Sequence, residues 1–198
     1  SVARMTITTS EAQSGEGYRL SIVFGEEGAP FKAAHPRGTT VRVENLFENV
    51  PVRKKFLKSE QTERRGIRAV VDDFAAAYPG GTFRLAENGE VTALYAAAPD
   101  VEQRLNDILG REIMRFMAPV SFSTPGTSIR GYISKPDYVR GDKALMRFFV
   151  NRRPVSAGDI GFSLIRFYSD KIPRGKYPAA FIFIETDPSQ VDVNIHPT

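Results

Sequence analysis

Three short stretches carry side chains able to do chemistry. The first is Gly38-Thr39-Thr40, which opens the run GTTVRVENLFENVPVRKKFL. A glycine lets the backbone come close to a ligand because it has no Cβ, and the threonine after it adds a hydroxyl. Thr39 alternates with Val41 and Val43, so its hydroxyl belongs on the apolar side of a strand, while Thr40 alternates with Arg42. The same residues also suit a strand start whose threonine bonds its own backbone. The second stretch is the basic run Arg53, Lys54, Lys55 and Lys58. It fits either a solvated face or contacts to phosphates along a polyanion. The third is Asn151-Arg152-Arg153, with Lys171, Arg174 and Lys176 in a later loop.

Other chemistry is excluded by composition. The chain has no cysteine and two histidines, His35 and His196, so it cannot supply a thiolate or multi-histidine metal site. No metal ligands are assigned. His35, between prolines and glycines, reads as plain surface; His196 lies on the polar face of the last strand with Asp192 and Asn194. A net charge of +4 permits weak polyanion binding without demanding it. No apolar run approaches the roughly 20 residues of a membrane span, and no membrane partner is expected. The opening SVARMTITTS reads as a strand already under way, as expected for a segment of a longer protein.

The elements that must position these residues follow from periodicity. Met5 and Ile7 share one strand face, and Tyr18, Leu20, Ile22 and Phe24 share one face of the next run. From Gln61 the period becomes helical, with Ile67, Val70, Val71, Phe74 and Tyr78 as the apolar stripe, stopped by Pro79-Gly80-Gly81. Asn88-Gly89 between two alternating runs predicts a tight hairpin. Asp100 is placed to cap a helix, with Gln103 in the reciprocal position and Gly110 at its end. Strands are expected around Ile129–Ile133 and Leu145–Val150, then a helix with Ile160, Leu164, Phe167 and Tyr168 facing inward. AAFIFIET reads as a buried strand, and VDVNIHP alternates with Val191, Val193 and Ile195 on one face. The fold class is α+β, in two unequal halves divided near residue 99.

Four segments in order resemble the MutL family of DNA mismatch repair proteins. They are GTTVRVENLFENVPVRKKFL, the Asn88-Gly89 hairpin, FVNRRPV and DPSQVDVNIHP, and together they cover essentially the whole chain. The resemblance implies that residues 1–98 are the C-terminal part of a GHKL-type ATPase domain. Residues 99–198 would then be a transducer domain similar to ribosomal protein S5 domain 2. It implies a parent that hydrolyses ATP with Mg²⁺, dimerises through its N-terminal region, clamps DNA and couples mismatch recognition to downstream repair enzymes. The general base, the Mg²⁺ motif and the lid would lie before Ser1, so no catalytic residue is assigned here and no cofactor is expected on this segment alone. Hydrolysis needs a base to orient water, and a threonine hydroxyl does not replace one.

By the same resemblance, Gly38, Thr39 and Thr40 form a wall at the adenine end of the nucleotide site. Lys55 and Lys58 face a groove for single- or double-stranded DNA, bound without sequence preference, and Arg153 matches the family arginine. Arg53 is expected to brace the Asn-x-Pro turn through a carboxylate. The segment departs from the family at Arg152, which replaces a glycine and puts a bulky residue where a left-handed turn is usual. Asn194 and His196 would shape the strand end beside the nucleotide. Partners would be a second copy, a mismatch-recognition protein and a repair nuclease or helicase. The expected location is the cytoplasm at the nucleoid in a bacterium, or the nucleus in a eukaryote. Two alternatives stand beside this reading: another GHKL ATPase such as a type II topoisomerase subunit, and an S5-like nucleic-acid-binding module without ATPase activity.

Overall fold

The computed structural model describes residues 2–11 and 15–190; the expected strand through Val191, Val193 and Ile195 lies outside them. Packing divides the chain into a unit ending at Glu63 and a unit beginning at Arg64.

The first unit is a five-stranded sheet. Its strands are β1 (Arg4–Ser10), β2 (Glu16–Val23), β3 (Glu26–Glu27), β4 (Phe31–Ala34) and β5 (Gly38–Glu44). β1 is central, antiparallel to β2 and β5, while β3 and β4 both pair with β2. The register sets Ile7 opposite Leu20 and Val41, and Met5 opposite Ile22 and Val43. Side chains alternate across a strand, so these six make one apolar face. The other face carries Thr6, Thr8, Arg19, Thr40 and Arg42. The apolar face is open: Val41 and Val43 are 58% and 57% exposed.

After β5 the LFENVP segment turns tightly. Asn45 and Phe47 adopt φ of 56° and 60°, and the Val50 N–H donates to the Phe47 carbonyl at 3.1 Å. The turn delivers Pro51 to the start of α1 (Pro51–Lys54), where its missing N–H is no loss. α2 (Glu60–Ala77) follows. Its start is fixed by Glu63, whose carboxylate accepts the Lys58 N–H at 2.9 Å.

In the second unit α2 continues into the hairpin of β6 (Phe83–Glu87) and β7 (Glu90–Tyr95). Asn88 and Gly89 both have positive φ, 52° and 88°, as a two-residue turn matching strand twist requires. Then come α3 (Val101–Leu109), α4 (Arg111–Met114), β8 (Met117–Thr124), β9 (Thr127–Ser134), β10 (Met146–Val150), β11 (Arg153–Val155), α5 (Gly158–Tyr168) and β12 (Ala180–Thr186). The sheet order is β11-β10-β12-β9-β8; β10 and β12 are parallel and the other pairs antiparallel. Gly131 allows the close approach of β9 to β12, because a Cβ there would sit 2.0 Å from the Phe181 carbonyl oxygen.

Each face of this sheet has its own core. Phe149, Phe181 and Phe183 pack with Leu105, Met114 and the α2 alanines Ala76 and Ala77. On the opposite face Met146, Phe148, Ala180 and Ile182 pack against Leu164 and Ile165 of α5. Two apolar stripes differ from expectation. In α2 the buried residues are Ala75, Ala76 and Ala77, and Val71 packs partly buried as expected, while Ile67, Val70 and Phe74, with Tyr78 just past the helix, are exposed. In α5 Tyr168 is buried but Phe167 is 57% exposed, because Gly161 rather than a large residue meets the sheet. Asp100 caps α3 by accepting the Gln103 N–H at 2.8 Å. The Gln103 side chain turns away to Asp107, so the reciprocal bond expected of it is not made.

Candidate functional site

Gly38, Thr39 and Thr40 stand at the start of the edge strand β5, and the two threonines serve opposite faces. Thr39 Oγ1 lies 2.8 Å from Thr9 Oγ1, and Thr9 Oγ1 lies 3.3 Å from the Gly38 carbonyl. Thr9 has one hydroxyl proton, and the carbonyl can only accept it. Thr39 therefore donates to Thr9, which leaves its own oxygen open as an acceptor on the apolar face. Neither threonine bonds its own backbone there; the pair is cross-strand. Thr40 points the other way and bonds His35 Nε2 at 2.8 Å. His35 also meets the Pro36 carbonyl through Nδ1 at 2.6 Å, so it is an ordered, half-buried residue rather than plain surface.

The predicted basic residues fall in different units. Lys55 caps the C-terminus of α1 and Lys58 precedes α2, and both are exposed. Arg53 makes no ion pair among the described residues, so the expected carboxylate brace is absent there; its carbonyl instead accepts the Phe56 N–H at 3.0 Å. In the second unit Asn151 and Arg152 form the two-residue turn between β10 and β11, with φ of 47° and 65°. The turn that glycine usually makes is kept, with an arginine held left-handed. Asn151 secures it, receiving the Thr186 N–H on Oδ1 at 3.0 Å and donating its own N–H to Ile184 at 2.8 Å. The Arg152 guanidinium lies 6.0 Å from the Tyr78 ring centre, and Arg153 is exposed on β11. Asn194 and His196 lie outside the described residues. No group of three or more His, Cys, Asp or Glu side chains able to hold a metal lies among the described residues.

Sequence reasoning missed Arg104. It is fully buried on α3, and its Nη2 donates to the carbonyls of Pro79, Gly81 and Ala96 at 2.6, 2.7 and 2.8 Å. Burial lowers its pKa. An arginine on a helix with Glu102 and Asp107 nearby reads as a solvated charge, and nothing local reveals the three carbonyls. Nearby, Arg68, Asp72 and Tyr95 close a ring of hydrogen bonds of 2.8, 2.6 and 2.6 Å, and burial pushes the Tyr95 phenol up to about 12. Asp73 meets Arg147 of β10 at 3.0 Å, yet burial still raises its pKa and its second oxygen has no partner.

The family model for the C-terminal domain of DNA mismatch repair proteins matches residues 105–198. The mismatch repair protein MutL of Opitutus terrae is 38% identical over 197 residues, which cover 100% of this chain and 31% of that protein. MutL of Coxiella burnetii is 35% identical over 200 residues, 100% of this chain and 35% of that protein. The chain belongs to the MutL family. This MutL segment spans about a third of the length of those curated relatives. Among solved structures, the N-terminal domain of a DNA repair protein superposes with a TM-score of 0.83 at 22% identity, covering 99% of this chain and 64% of that one. The Aquifex aeolicus MutL ATPase domain complexed with ADP gives 0.71 at 23% identity, over 94% and 69%. The DNA gyrase B-subunit of Myxococcus xanthus gives 0.55 at 16% identity, over 98% and 60%. The MutL segment thus has the α+β fold of GHKL-type ATPases. No helix among the described residues is long and apolar enough to cross a membrane.

Proposed function

We propose that this segment is the end of a nucleotide-binding domain, residues 1–98, joined to an S5-like transducer domain, residues 99–198, of a MutL-type mismatch repair protein. The parent would bind and hydrolyse ATP, dimerise, and clamp DNA so that mismatch recognition reaches a repair nuclease or helicase. The observation that carries this is the Thr9–Thr39 hydroxyl pair on the apolar face of the first sheet. Thr39 Oγ1 is left as an acceptor, and the exocyclic amine of adenine is a donor. Gly38 lets the backbone approach the ring, and Thr40 contributes through the strand backbone, since its side chain faces the other way. When bound, ATP supplies the phosphoanhydride whose cleavage resets the clamp; orienting the attacking water falls to the rest of the parent, and so does Mg²⁺. Asn194 and His196 would order the chain beside the phosphates.

Lys55 and Lys58, with Arg152 and Arg153 in the other unit, would contact DNA phosphates without reading sequence. The parent would work in the cytoplasm at the nucleoid, as a bacterial protein like its relatives. The gyrase likeness favours a shared fold rather than a topoisomerase, because the identity to MutL runs over the whole chain.

The test is nucleotide binding by the full-length parent. Thr39→Val should weaken ATP binding about tenfold, the loss expected for one hydrogen bond worth about 1.4 kcal/mol. Thr39→Ser should bind like the wild type. Equal affinity for all three would reject the adenine-end assignment.

A further inference from the structure

The polar face of the first sheet, opposite the face that carries the Thr9–Thr39 pair, holds a cavity of about 310 Å³. Its floor is the row of Thr6 and Thr8 on β1. Arg19 of β2 and Arg42 of β5 stand on either side, opposite Thr8 and Thr6 respectively. Sheet spacings put their backbones about 12 Å apart, close enough for two guanidinium groups to converge over β1. Neither arginine makes an ion pair among the described residues. His35 and Thr40 close one wall, and Glu44 supplies the acidic rim.

The hydroxyls point to what the cavity takes. Thr8 is only 5% exposed, and its Oγ1 accepts from Arg19 Nε at 3.1 Å. Its own proton has no acceptor among the described residues. A buried hydroxyl with an unused donor, between two unpaired guanidinium groups, is a demand for an acceptor with negative charge. The His35–Thr40 bond fixes the wall beside it. The Pro36 carbonyl can only accept, so His35 Nδ1 carries a proton, and in the neutral ring Nε2 must take the Thr40 proton.

We infer that this cavity binds a single phosphate group, gripped by Arg19, Arg42 and the Thr8 hydroxyl. Mixed guanidinium and hydroxyl donors around one point suit a tetrahedral oxyanion, and arginine with threonine is the usual set on nucleic-acid phosphates. The source is either a free anion or a DNA backbone, and the site does not depend on the adenine-end assignment.

The experiment is amide and imidazole NMR of this chain titrated with sulfate, whose charge is constant near neutrality, and separately with a short DNA duplex. Sulfate should shift Thr8, Arg19, Thr40, Arg42 and the His35 ring together. Arg19→Ala with Arg42→Ala should weaken sulfate about tenfold or more, the effect of losing charged hydrogen bonds. The charge-matched control, Arg84→Ala with Arg115→Ala, should change it less than twofold. A response to sulfate alone assigns the site to free phosphate, and a response to both assigns it to a DNA backbone. The proposal fails if the control loses as much as the double variant, or if the shifts centre on Lys55 and Lys58. It also fails if a hexaglutamate peptide shifts these amides when neither sulfate nor the duplex does.

Discussion

Arg104 serves three carbonyls with one nitrogen, and its remaining N–H groups have no partner. Deleting it would strand the Pro79, Gly81 and Ala96 carbonyls together. Arg104→Met should therefore lower the unfolding free energy by about 3 kcal/mol in urea denaturation. Arg104→Lys should recover less than half, because an ammonium lacks the planar fork. A loss under about 1 kcal/mol would mean that water replaces the guanidinium. Arg152 makes the opposite prediction. It holds φ of 65°, where an L-residue is strained and glycine is not. Arg152→Gly should raise stability by about 0.5–1 kcal/mol, read as a higher thermal midpoint. If the midpoint falls instead, the contact with Tyr78 outweighs the backbone strain. The sequence marked Arg152 because it departs from a known motif. It could not mark Arg104, whose environment is assembled from segments distant along the chain.

Elements were legible where the signal is local. The Asn88-Gly89 turn and the Asp100 cap each need only adjacent residues, and both form as expected. Asp100→Ala should cost about 1 kcal/mol in the same denaturation assay, the usual worth of a side-chain N-cap. β8 was not legible: MAPVSFST holds a proline and three polar hydroxyl residues, which suits an edge strand and resembles a loop. β11 has only three residues and exists because Arg152 keeps the turn. In α2 the large apolar residues carry the helical period, whereas small alanines let the helix approach the hairpin and sheet closely. That approach buries Asp73 beside Arg147. Its folded-state pKa is raised above the ordinary carboxylate value, burial outweighing the arginine. The native state then holds the proton more tightly than the unfolded chain, so the Asp73 contribution to stability falls as pH rises from the ordinary carboxylate value through the raised one. Subtracting the Asp73→Asn profile from wild type should leave this negative slope in acid. A positive difference slope would show that Arg147 dominates.

For the whole molecule, the family border expected at residues 98 and 99 and the packing border at 63 and 64 measure different things. Ancestry divides a chain by origin, and packing divides it by shared core; Ala76 and Ala77 lie before the first border yet sit in one cluster with Leu105 and Phe149. Hydrogen exchange should separate the units. Amides of β10 and β12, buried on both faces, should exchange last, and those of β5, whose side chains are all exposed, well before them. The reverse order would contradict this packing. The strand order β11-β10-β12-β9-β8 carries one more implication, for how the chain is made. The central strand is the last of the five to be synthesised. Until Thr186 has left the ribosome, the β8–β9 and β10–β11 hairpins are separate ribbons, each with an apolar edge awaiting the same partner. A nascent chain stalled before Ala180 is then a sheet split down its middle, open to pairing with a neighbouring copy on the same message, and only the arrival of AFIFIET closes the gap.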